Sequence, residues 1–143
     1  MPEQPSPPAD HDFQALDRKL PFVSPEAIDV ACLDAFDYAY PGCDIEIRTE
    51  TEEFTSVCPF SGLPDFARVT IVYVPDKKCV ELRSLKYYLM SYRNVGIFYE
   101  HLSNRIRDDL VALLAPRTMR IECAFTTRGG LRTTVVAEYP PTA

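Results

Sequence analysis

Apolar and polar positions begin to alternate near residue 44. Ile45 and Ile47 are interleaved with Glu46 and Arg48, the period of a half-buried strand. From Phe66 to Val74 the residues are largely β-branched; Val69, Ile71 and Tyr73 are predicted to face one way and Thr70, Val72 and Val74 the other. Pro75-Asp76-Lys77-Lys78 reads as the closing turn. The period then lengthens. A short helix is expected from Ser84 to about Tyr92, and a longer one from near Gly96. In the longer one, Phe98, Leu102, Ile106, Leu110 and Leu113 recur at steps of four, four, four and three, and Pro116 ends it. Alternation returns at Met119, Ile121, Cys123 and Phe125. Gly129-Gly130 supplies a positive-φ turn, and Leu131, Thr133, Val135, Ala137 and Tyr139 come back on a second strand. The order ββααββ implies an α+β layer on an antiparallel sheet.

The two ends of this pattern differ. Residues 1–20 are proline-rich without apolar periodicity and read as a disordered tail, with 21–143 as a single domain. The stretch Phe13 to Pro41, which spans that boundary, shows scattered Leu, Ile and aromatic residues, and is expected to drape irregularly over the body.

Composition narrows the function. A net charge of −6 argues against general nucleic-acid binding, and no apolar run is long enough to span a membrane. No secretory leader is evident, and the five cysteines include no C-x-x-C pair, so a cytoplasmic protein with reduced thiols is expected. Two histidines and no Cys/His cluster give no reason to expect a metal.

Three features can carry chemistry. Cys58 and Asp65 share the rigid stretch Cys58-Pro59-Phe60-Ser61-Gly62-Leu63-Pro64-Asp65, where a thiol stands near a proton source. An inert loop cysteine and a turn-closing aspartate fit the same residues. The segment Lys77 to Arg93 carries a local charge of +4 with Tyr87, Tyr88 and Tyr92 interleaved, which suits an anionic, ring-bearing ligand or simply a solvated helix face. Glu100, in the first turn of the longer helix, can hold a guanine-like edge or serve the helix dipole. Cys32, Cys43, Cys79 and Cys123 read as packing residues, and His101 as a surface residue.

Three blocks resemble a known family: Phe54-Thr55-x-x-Cys58-Pro59-x-x-Gly62-x-Pro64-Asp65-Phe66; Val80-Glu81-Leu82-Arg83-Ser84-Leu85-Lys86-Tyr87-Tyr88; and Tyr92-Arg93-Asn94-x-Gly96-x-Phe98-Tyr99-Glu100. They are similar to the NADPH-dependent 7-cyano-7-deazaguanine reductases, nitrile reductases of queuosine biosynthesis in the tunnelling-fold group that also holds GTP cyclohydrolase I. The resemblance implies a tunnelling fold, a homo-oligomeric ring with active sites between subunits, NADPH as cofactor, and the cyano-deazaguanine as a small-molecule substrate, without nucleic acid or membrane. It implies Cys58 as the nucleophile that forms a thioimide and Asp65 as the proton donor. Val80, Glu81, Leu82, Tyr99 and Glu100 would hold the base, and Arg83, Ser84 and Lys86 the cofactor. Two positions depart from the common pattern: Tyr99 stands where His is usual, and Arg83 where Lys is usual. A tunnelling-fold amidinotransferase acting on tRNA, or a non-catalytic purine- or pterin-binding module, are the competing readings. The acidic charge and the Glu81–Tyr88 block disfavour the first, and the Cys58 loop disfavours the second.

Overall fold

A computed structural model describes residues 18–141, so most of the expected tail lies outside the described residues. Eight elements follow a short 3-10 turn at Pro25–Ala27: β1 Ala35–Asp37, β2 Ile47–Val57, β3 Pro64–Val74, β4 Lys78–Val80, α1 Leu82–Met90, α2 Tyr99–Leu114, β5 Thr118–Phe125 and β6 Thr134–Tyr139. Strands β2-β3-β5-β6 form one antiparallel sheet in that order, and β1 pairs antiparallel with β4 in a separate ribbon.

The period-two face of β3 was legible and is real. Val69, Ile71 and Tyr73 are buried, as are Met119, Ile121, Cys123 and Phe125, with which Val69, Ile71, Tyr73 and Ala67 pair across β5. Helix α2 covers this face with Leu102, Ile106, Leu110 and Leu114, and α1 adds Leu85 and Tyr88. The opposite face carries half-exposed Phe66 and Val136.

Several boundaries differ from the expectation. Ile45 lies outside β2 and is exposed, whereas the strand runs on to Val57 across a bulge between Thr51 and Phe54 that no periodic pattern marks. The α1 helix starts at Leu82, two residues earlier than Ser84, because the Glu81 carboxylate caps it by accepting from the Arg83 and Ser84 N–H groups. The α2 helix starts at Tyr99 and not near Gly96, so Phe98 is its N-cap and is 44 % exposed; it does not join the buried stripe. The segment before it is held as strand-like backbone, Val95 O accepting from Val57 N–H and Ile97 N–H donating to Val57 O. The stretch expected to be irregular contains β1. Cys43 is exposed and is not a packing residue, unlike Cys79 and Cys123.

A buried polar network ties the two helices together. The Tyr88 hydroxyl donates to Asp109 Oδ2 at 2.6 Å and sits 2.7 Å from the Tyr92 hydroxyl, while Arg105 Nε donates to the same carboxylate at 2.9 Å. Four polar groups, with the Arg105 side chain the most exposed among them, satisfy one another, which fixes α1 against α2 more specifically than apolar contact alone.

Candidate active site

The Cys58 loop joins two paired strands, and its geometry follows from its sequence. Cys58 N–H donates to Leu63 O, and Gly62 N–H donates to Cys58 O, both at 2.9 Å, so the loop closes on itself. Gly62 adopts φ +73°, and a Cβ there would collide with the Leu20 backbone. Only glycine fits both demands. Gly96 passes beneath the loop, where a Cβ would stand 3.2 Å from the Pro59 Cα and closer still to the Phe22 ring.

Cys58 is half-buried. Burial pushes its thiol up and the Asp65 charge acts in the same direction. The Ser61 and Phe60 backbone N–H groups and the Ser61 hydroxyl outweigh both, so the thiol is held below its ordinary value. Donors aimed at the sulfur stabilise the thiolate, the reactive form.

Asp65 opens β3 and is only 4 % exposed. The Tyr99 hydroxyl donates to its Oδ1 at 3.1 Å, and Arg128 reaches the same oxygen at 2.5 Å. Burial, then the Asp65 charge and hydrogen bond, push the Tyr99 hydroxyl up, so it stays protonated and donates. Its ring stacks on Phe125 at 3.6 Å and 11°, which fixes where the hydroxyl points. The exposed rings of Phe60 and Phe98 meet edge to face at 5.7 Å beside the loop.

The structure thus brings Cys58, Asp65 and Tyr99 together, with Glu100 one residue on in the first turn of α2 and exposed. Val80, Glu81 and Leu82 are elsewhere. Val80 N–H donates to the Tyr73 hydroxyl at 3.1 Å, and Tyr73 lies at the other end of β3 from Asp65. Eight residues of strand span roughly 26 Å, so Val80 stays more than ~15 Å from Asp65 even after the reach of the tyrosine side chain. Glu81 is the α1 cap; the N–H groups of Ser84 and Arg83 hold its carboxyl below the usual range. On α1 itself, Arg83 and Lys86 are exposed. Ser84 is 7 % exposed, and its hydroxyl donates to Glu81 O at 2.7 Å and accepts from Asp34 N–H at 2.9 Å, so it is committed to holding β1 against the helix. A groove of about 760 Å³ runs between α1 and β2, from Leu82 and Thr49 toward Arg93 and Thr55 near the Cys58 loop, with Lys86 on its wall.

Sequence reasoning missed Arg128, Ser61 and Phe60. Arg128 precedes the Gly-Gly turn, and only the folding of that hairpin against β3 places it on Asp65. Ser61 was visible as a hydroxyl three residues after the cysteine, within reach in any tight turn.

The model of the family described as QueF-like protein matches residues 64–143, more than half of the chain. The chain belongs to that family. It is 53 % identical over 122 residues to the NADPH-dependent 7-cyano-7-deazaguanine reductase of Caldicellulosiruptor bescii, covering 85 % of this chain and 93 % of the relative. It is 55 % identical over 114 residues to the protein of the same name from Thermoanaerobacter pseudethanolicus, covering 80 % and 86 %. The crystal structure of an archaeosine synthase QueF-Like in the apo form superposes with a TM-score of 0.61 at 24 % identity, covering 70 % of this chain and 96 % of that one. That likeness shows the tunnelling fold, with antiparallel sheet and two helices.

Proposed function

We propose that this chain is an NADPH-dependent nitrile oxidoreductase, reducing 7-cyano-7-deazaguanine to 7-aminomethyl-7-deazaguanine in queuosine biosynthesis. The observation that carries the reading is a thiol held low by loop donors beside a buried, doubly anchored carboxyl, in a chain more than half identical to reductases of that name over most of their length.

The residues map onto the steps. The Cys58 thiolate adds to the nitrile carbon, and the nitrile nitrogen takes a proton from Asp65, giving a thioimide. A hydride added to that carbon gives a tetrahedral adduct, which expels the thiolate and leaves an imine. A second hydride and a proton complete the primary amine. The nicotinamide of NADPH, when bound, supplies both hydrides. Tyr99 serves by positioning Asp65, since its hydroxyl is held protonated and points at Oδ1.

The residues present fit the cofactor in part. The α1–β2 groove has the volume of a ligand site, and Lys86 and Arg93 line it toward the Cys58 end; Arg83 is exposed on the same helix. Those three would hold phosphates. Ser84, with its hydroxyl already committed, is less suited to the task.

Val80, Glu81 and Leu82 lie too far from Cys58 to hold the same small molecule within one chain. We therefore read the site as built by two copies in a homo-oligomer, with the 80–82 segment of one subunit facing the Cys58–Asp65–Tyr99–Glu100 group of another. Among the described residues β2 and β6 are the edge strands of the four-stranded sheet, with β2 covered only at its Val57 end, and such edges support pairing between copies.

The test is direct. Mixing the protein with 7-cyano-7-deazaguanine and NADPH should consume the reduced nicotinamide absorbance, two equivalents per nitrile. A Cys58→Ala variant should consume none while remaining folded. An inactive wild type under varied conditions would sink the reading; an active Cys58→Ala would sink the covalent mechanism alone.

A further inference from the structure

Resting on the reductase reading, we infer that Ser56 is a positioning residue for the proton donor: its hydroxyl holds the second oxygen of Asp65 through the proton transfers of turnover.

Ser56 is fully buried, and its Oγ has no hydrogen-bond partner among the described residues. A buried hydroxyl without a partner carries a desolvation cost that folding alone gives no reason to keep. Its place is specific. In the β2–β3 register Ser56 stands directly opposite Asp65, one pair on from Thr55 and Phe66, so the two side chains share a face of the sheet. That face is the helix side, since Phe54, two residues back, packs on Tyr92. Opposed residues in an antiparallel pair have Cβ atoms about 4.5–5.5 Å apart, within reach of a hydroxyl–carboxyl hydrogen bond after a rotamer change.

Asp65 has an oxygen to spare. Tyr99 and Arg128 both engage Oδ1, and Oδ2 accepts no hydrogen bond among the described residues. The groups facing this carboxyl are the Cys58 thiol from the loop, Tyr99 from α2 and Arg128 from the β5–β6 turn; β2 offers only Ser56, because the Thr55 hydroxyl donates to the Asp65 backbone carbonyl at 2.8 Å. A proton donor alternates between carboxylic acid and carboxylate. Tyr99 and Arg128 donate to Oδ1, which can accept in both forms, so the exchanging proton belongs on Oδ2. A serine hydroxyl can donate to a lone pair of Oδ2 in both forms, which leaves the O–H of the acid free to face the substrate. The proton then leaves from, and returns to, an oxygen held in one direction relative to Cys58.

The test is Ser56→Ala, with Ser56→Thr as the conservative variant that restores a hydroxyl. Ser56→Ala should fold with a Tm at or above wild type, because an unpartnered buried hydroxyl is removed. It should still form the covalent adduct with 7-cyano-7-deazaguanine, but more slowly than wild type, because thioimide formation also takes a proton from Asp65. Its kcat for NADPH oxidation should fall about tenfold, a modest part of what a positioned acid contributes. The basic limb of its kcat–pH profile should move relative to wild type, and Ser56→Thr should recover turnover. Wild-type kcat and profile in Ser56→Ala would overturn the inference. So would a loss of turnover that tracks a lowered Tm, which marks a packing role. If wild type itself oxidises no NADPH, the reductase reading fails and this assignment falls with it, whereas an active wild type with an unaffected Ser56→Ala overturns the assignment alone.

Discussion

Replacing Arg128 by Leu should uncouple the hairpin turn from the proton donor. Asp65 is 4 % exposed and the Arg128 side chain 52 %. Removing one partner of a fully buried pair costs about 3–5 kcal/mol, and exposed pairs are worth about 0.2–1 kcal/mol. This pair lies between those limits. Tyr99 still donates to the carboxylate when Arg128 is gone, and water can follow the half-exposed guanidinium path, so the loss should fall in the lower half of the range. We expect a coupling energy of about 1–2 kcal/mol between the two side chains. The assay is a double-mutant cycle of wild type, Asp65→Asn, Arg128→Leu and the double variant, by denaturant unfolding at one fixed protein concentration, because any association shifts apparent stability. In thermal unfolding the Arg128→Leu loss should appear as a Tm drop of several degrees, at roughly 2–4 °C per kcal/mol for a chain of this size. Arg128→Leu should also lower kcat, since Asp65 is then held through Tyr99 alone. A coupling energy within about 0.3 kcal/mol of zero would refute the claim that this contact matters in solution.

Two further predictions follow from the loop and the core. The reaction of Cys58 with iodoacetamide should rise at lower pH than for an ordinary cysteine, because only the thiolate attacks and the Ser61 and Phe60 donors favour it; Ser61→Ala should shift that rise to higher pH and slow alkylation several-fold near neutrality, and an unmoved profile would remove Ser61 from the account. Leu110→Ala, at a fully buried position on α2, should cost about 3 kcal/mol by denaturant midpoint while leaving the Cys58 alkylation profile in place; a cost under ~1 kcal/mol would mean the α2–sheet contact is not the packed core described.

Much of this molecule was written in local pattern. Strand β3, the β5–β6 hairpin and the buried stripe of α2 announced themselves because burial on one face imposes a period on the chain, and a period is visible without coordinates. The Cys58 loop was legible for a related reason: proline and glycine restrict backbone locally, so Cys58-Pro59 through Gly62-Leu63-Pro64-Asp65 marks a fixed turn with a thiol and an acid at its ends. The three-residue strands β1 and β4 left no trace, being too short for any period. The start of α1 was misplaced because a capping carboxylate is recognised only once the helix it caps is known.

What tertiary structure alone decided is which distant residues meet. Arg128 and Asp65 are 63 positions apart, and nothing near either residue names the other; the β3–β5 register brings the turn over the carboxyl. The β2–β3 register puts Ser56 opposite Asp65 with its hydroxyl unused. It also separates what the sequence sets close together, since a long strand carries Glu81 to the far end of the sheet from Cys58. Sequence pattern reports each segment's own burial and backbone freedom. The catalytic arrangement depends on pairing between segments, and that is fixed only when strands choose partners and register.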